Sequence, residues 1–154
     1  MKVSDIMTAA AVTDSPDDTL AEASSKMWQQ QTGSLLVMQN NQLIGIVTER
    51  DVLRHVAEAG EPKTVSLRDV MSTDVVTIPP ETSLHDAAQI MFEHWFRHLP
   101  VVSGDGAVLG VVSLRDLLTL VAESFEEPET LQVLTGHKLV RDVRLDRIEA
   151  GDLD

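Results

Sequence analysis

The chain has 154 residues, 43% of them hydrophobic and only 3% aromatic, with 8 Gly, 6 Pro and no Cys; such a chain folds around an aliphatic core, and it excludes disulfides, thiolate catalysis and Cys-based metal sites. Its 12 basic and 25 acidic residues leave a net charge of -13, which disfavours duplex nucleic acid and anionic lipid as partners. No signal-peptide pattern follows Met1, and no apolar run approaches the roughly 20 residues that span a bilayer, so no membrane association and a cytoplasmic location are expected.

In chain order, a short segment around Ile6-Met7 leads into residues 11–13, a β-branched stretch soon followed by Pro16 that predicts a brief strand. Ser15-Pro16-Asp17-Asp18-Thr19 carries helix-start chemistry, and Leu20, Ala23 and Met27 then recur at helical spacing. Residues 35–38 form an apolar run read as a buried strand, Asn40-Asn41 a hairpin turn, and residues 43–47 the returning strand. Thr48-Glu49-Arg50-Asp51-Val52-Leu53 opens a second helix. Gly60-Glu61-Pro62-Lys63 is too short for a flexible tether, so the lobes on either side should pack together.

The pattern then returns. A shift of 64 places Asp5 on Asp69, Met7 on Met71, Thr13 on Thr77, Leu20 on Leu84, Ala23 on Ala87 and Met27 on Met91. One residue enters at Gly104-Asp105-Gly106, a turn that tolerates it, after which a shift of 65 places Gly45 on Gly110 and Arg50-Asp51 on Arg115-Asp116. Each unit reads β-α-β-β-α, an α/β (α+β) fold class: residues 1–60 form the first unit, 61–124 the second, and 125–154 a C-terminal extension of mixed charge. The second unit's first helix should end near Arg97, ahead of Pro100. Trp28 matches Phe92, which predicts a shared aromatic packing position, whereas Trp95 matches Gln31 and should fill a gap peculiar to the second unit or an interface.

Gly45-Ile46-Val47-Thr48-Glu49-Arg50-Asp51 and Gly110-Val111-Val112-Ser113-Leu114-Arg115-Asp116 share the form G-apolar-apolar-[ST]-x-x-D, each preceded by an Asp-Ile-Met or Asp-Val-Met segment and the second by Arg97-His98-Leu99-Pro100-Val101-Val102. In order, spacing and duplication these resemble the CBS-domain family (cystathionine-β-synthase-type domains, in tandem pairs) over about residues 3–122. The resemblance implies two βαββα units related by a pseudo-twofold axis, ligand clefts between the paired sheets, a homodimer, and an AMP, ADP, ATP or S-adenosylmethionine ligand.

The residues support that chemistry on their own terms. Thr48 and Ser113 fall between strand and helix, where a hydroxyl caps the helix and free N–H groups favour phosphate. Asp51 and Asp116 follow in the first turn, where a carboxylate can accept from a ribose diol. The same spacing is also a plain capping box. Arg97 can fork onto phosphate and His98 can add a donor, while the matching Gly33-Ser34 offer neither. A cleft using Thr77, Arg97, His98, Ser113 and Asp116 is therefore expected to be the stronger anion site, and one using Thr13, Thr48 and Asp51 the weaker. Arg97 as a solvated helix-closing charge, and Arg50 and Arg115 as solvent-facing, are the alternatives. The candidate ligand-binding set is Thr13, Thr48, Asp51, Thr77, Arg97, His98, Pro100, Ser113, Arg115 and Asp116.

His94 and His98 are four apart without a third ligand at sensible spacing, so no metal site is expected, and no nucleophile-base-orienter set stands out. The sequence predicts a non-catalytic sensor that requires no cofactor and signals through an unidentified effector protein. A structural or dimerisation module without a physiological small ligand is the alternative.

Overall fold

The computed structural model describes residues 1–9, 11–124, 146 and 148–151. They fall into two compact units, Met1–Leu120 and Val121–Asp154. In the second unit, Asp146 and residues 148–150 are helical and Gly151 lies in a turn. The rest of the predicted extension lies outside the described residues.

The first unit contains both repeats as far as Leu120 in the last helix. In repeat one, β1 (Thr13–Asp14) pairs in parallel with β2 (Ser34–Gln39), which pairs antiparallel with β3 (Gln42–Thr48). The β2–β3 turn uses Asn40 and Asn41 at φ 52° and 62°, the double left-handed conformation that closes a two-residue hairpin. Between β1 and β2 lies α1 (Leu20–Gln29), started by a capping box. Glu22 N donates to Thr19 Oγ1 at 3.2 Å, and Thr19 N donates to Glu22 Oε2 at 2.8 Å. Helix α2 (Glu49–Ala57) follows β3 without a break.

Repeat two begins with α3 (Leu67–Val70) and continues through α4 (Leu84–His94), β4 (His98–Val102), β5 (Val108–Ser113) and α5 (Leu114–Ser124). Its counterpart of β1 shrinks to one bridge between Ile78 and Val101. Ile78 N donates to Pro100 O and Val102 N to Ile78 O, but Pro79 and Pro80 have no N–H with which to extend the ladder. Helix α4 stops at His94, short of Arg97, because Trp95 takes a left-handed φ of 58°.

The repeats exchange their leading segments. Val3, Ile6 and Met7 pack into the core of repeat two, with Ile78, Ala87, Met91, Leu99, Val101 and Val112. Leu67, Val70 and Met71 pack into the core of repeat one, with Leu20, Ala23, Met27, Leu35, Val37 and Val47. Matching backbone pairs fix each exchange: Thr8 with Val111 (2.9 and 3.1 Å) and Ser72 with Ile46 (both 3.0 Å). Trp28 and Phe92 share a position as expected, but it is not a packing position: they are 77% and 53% exposed. Trp95 is half-buried at the end of α4.

Candidate functional site

A cavity of about 490 Å³ opens in the first unit. Its wall draws on the segment before β1 (Thr8, Ala11, Val12), the turn after α1 (residues 30–34), Glu49 at the head of α2, Arg97 and His98 at the head of β4, and the β5–α5 junction (Val111, Ser113, Leu114, Arg115, Asp116, Leu118). Because the leading segment of repeat one crosses to β5, residues from both repeats meet in one hollow.

At the junction Asp116 Oδ2 accepts from Ser113 N at 2.7 Å and from Ser113 Oγ at 2.8 Å. Asp116 Oδ1 makes no hydrogen bond among the described residues. His98 faces Ser113 across the β4–β5 ladder. Its pKa lies below the usual histidine value, chiefly because burial disfavours the cation, with the Arg97 guanidinium acting the same way. Glu49 and Asp116 oppose that shift, and Arg115 adds weakly to it. Arg97 donates from Nη2 to Glu49 Oε2 at 3.3 Å, bridging the repeats at the cavity wall. Gly33 makes room for this cluster: a Cβ there would lie 2.9 Å from His98 Cε1 and 3.2 Å from the Glu49 carboxylate.

Of the residues singled out in the sequence, the fold brings Arg97, His98, Ser113, Arg115 and Asp116 to one cavity. Thr48 and Asp51 form the same capping geometry in repeat one (2.7 and 2.9 Å) but do not line it. Asp51 is buried and its second oxygen accepts from Arg54 Nη2 at 3.0 Å. Thr13 and Thr77 are exposed beyond the cavity wall, so the expected grouping of Thr77 with Ser113 and Asp116 is replaced by one with Thr8 and Val12. Pro100 is fully buried in β4. His94, at the end of α4, stacks on Phe96 (ring centroids 5.4 Å apart) and does not join His98. Sequence reasoning missed Thr8, Val12, Glu49 and Leu114. The hydroxyl of Thr8 recurs as Ser72, a signal that could have marked the segment.

A fold of two such repeats, with a cavity walled by both, defines a CBS-domain pair. The CBS-domain family model matches residues 3–58 and again 67–123, and the chain belongs to that family. It is 38% identical over 115 residues to the CBS domain-containing protein YhcV of Bacillus subtilis (strain 168), covering 75% of this chain and 81% of that protein. The CBS domain protein PAE2072 of Pyrobaculum aerophilum, solved in complex with AMP, superposes with a TM-score of 0.72 at 23% identity, over 80% of this chain and 100% of that one. The CBS domain pair of protein MJ0100, solved with 5-methylthioadenosine and S-adenosyl-L-methionine, does so with a TM-score of 0.74 at 21% identity, over 80% and 97%. Among the described residues no helix is long and apolar enough to cross a membrane.

Proposed function

We propose that this chain is a non-catalytic sensor that binds an adenosyl ligand (AMP, ADP, ATP or S-adenosylmethionine) in the cavity beside Ser113 and Asp116. The observation that carries this reading is the placement of Asp116 at that wall with Oδ1 unbonded among the described residues, beside two guanidinium groups and a histidine. A diol seated at Asp116 would gain charge-assisted hydrogen bonds. Arg97 and Arg115 would receive phosphate, and Val12 and Val111 would flank the adenine. That two fold neighbours were solved with AMP and with S-adenosylmethionine supports the ligand class.

The Asp51 position is the weaker candidate, because Arg54 already occupies the oxygen a diol would need. Isothermal titration of AMP into the native chain, Asp116→Ala and Asp51→Ala tests the assignment. The expected result is loss of binding in Asp116→Ala and near-native affinity in Asp51→Ala. Equal losses would refute it, and no binding of any adenosyl ligand would leave a scaffold.

The signal would pass to an effector protein through a homodimer of this chain. Support comes from apolar residues left exposed at matching places: Leu53 and Leu118 at 69% and 58%, alongside Trp28 and Phe92.

A further inference from the structure

Among the described residues the charged groups on the cavity wall are Glu49, Arg97, Arg115 and Asp116, two of each sign. One pair is already formed, between Arg97 of repeat two and Glu49 of repeat one, at 3.3 Å. The repeat does not require this pair. Glu49 has Leu114 as its counterpart (114 − 49 = 65) and Arg97 has Gly33 (97 − 33 = 64). The surroundings are nonetheless fitted to it, since any side chain at Gly33 would press on the Glu49 carboxylate and the His98 ring. The Glu49 backbone is fixed as well, its N–H donating to Gly33 O at 3.1 Å.

We propose that Glu49 sets the charge class of the ligand: by holding Arg97 it makes the cavity select an adenosyl compound with at most one phosphoryl group over a triphosphate. This rests on the adenosyl reading of the cavity given above. A phosphoryl group that docks on Arg97 must share it with a carboxylate. A monophosphate brings about two negative charges to a wall on which two guanidinium groups face two carboxylates. A triphosphate brings more, and the excess lies beside Glu49 with no further Lys or Arg on the wall among the described residues. Selectivity here comes from a repulsive element built against the competitor as much as from contacts to the preferred ligand.

Metal-free titrations of AMP and ATP, with chelator present so that the nucleotide carries its full charge, test the proposal on the native chain, Glu49→Gln, Arg97→Gln and the double variant. Thermal melts check that each variant is folded. The native chain is expected to bind AMP more tightly than ATP. Glu49→Gln should raise ATP affinity about fivefold more than AMP affinity, the gain of removing one exposed charge. That differential gain should vanish in the Arg97→Gln background. If the native chain prefers ATP, or Glu49→Gln shifts both ligands equally or neither, the role of Glu49 is overturned while adenosyl binding stands. If neither nucleotide binds any of the four proteins, the role of Glu49 is overturned, and if S-adenosylmethionine also fails to bind the native chain, the adenosyl reading falls with it.

Discussion

Asp51 and Asp116 hold the same place in the two repeats, and the residue three positions on decides what each can do. Arg54 reaches back to Asp51 at 3.0 Å; its counterpart, Thr119 (54 + 65), bonds the Arg115 carbonyl at 3.0 Å. Asp51→Ala should therefore lower stability by about 1–2 kcal/mol, the loss of a buried cap with its cation partner, read as a shift in urea midpoint. The duplicated [ST]-x-x-D motif was legible in the sequence, because capping chemistry is local. Its different use was not, because an ion pair on one helix face is only one of several rotamers open to an arginine.

His98 gives a second residue-scale prediction. Its folded pKa lies below the ordinary value, so the unfolded chain takes up the proton first as pH falls. Stability should be intact above about pH 6.5 and decline as pH drops from there through the folded pKa. Urea unfolding at about pH 7.5 and about pH 5.5 measures this, with His98→Gln expected to flatten the difference. An unchanged slope in that variant would show that His98 does not titrate in a buried setting.

At the scale of elements, the repeats solve one packing problem in two ways. Asp14 in β1 is buried and paired with Lys26 of α1, whereas the matching pair in repeat two is Ile78, in its core, and Ile90, partly buried against it. Lys26→Ile alone should destabilise by about 1–3 kcal/mol, leaving a buried carboxylate unpaired, and the double change Asp14→Ile with Lys26→Ile should restore native stability or exceed it. Thermal melts of the single and double variants check both. The exchange of leading segments is likewise built on two glycines of unequal tolerance. A Cβ on Gly110 would meet the Thr8 carbonyl oxygen at 2.4 Å, while one on Gly45 would meet the flexible Met71 Sδ at 2.4 Å. Gly110→Ala should thus cost more than Gly45→Ala, since backbone yields less readily than a methionine side chain. Helix and hairpin positions were readable from periodicity and turn chemistry. The exchange was not, since it joins segments 103 (Thr8 and Val111) and 26 (Ile46 and Ser72) residues apart that carry no local signal for each other.

Across the whole molecule, crossing segments explain why one cavity draws its wall from both repeats, so the site depends on the pair and not on either unit alone. They also explain why Thr8, Val12 and Glu49 escaped a reading that assigned each cleft to one repeat. Symmetry shows as well in what is left uncovered, Leu53 with Leu118 and Trp28 with Phe92. Light scattering should find a dimer that Leu53→Glu with Leu118→Glu converts to monomer, as charges placed in an apolar contact would. A native monomer would contradict that assembly. For the central claim, that a single cavity per chain holds an adenosyl ligand through Asp116, native mass spectrometry with AMP is the most direct measurement. One AMP per chain, absent in Asp116→Ala, is predicted; no adduct with AMP or, in a parallel run, with S-adenosylmethionine, or two bound with equal affinity, would contradict it.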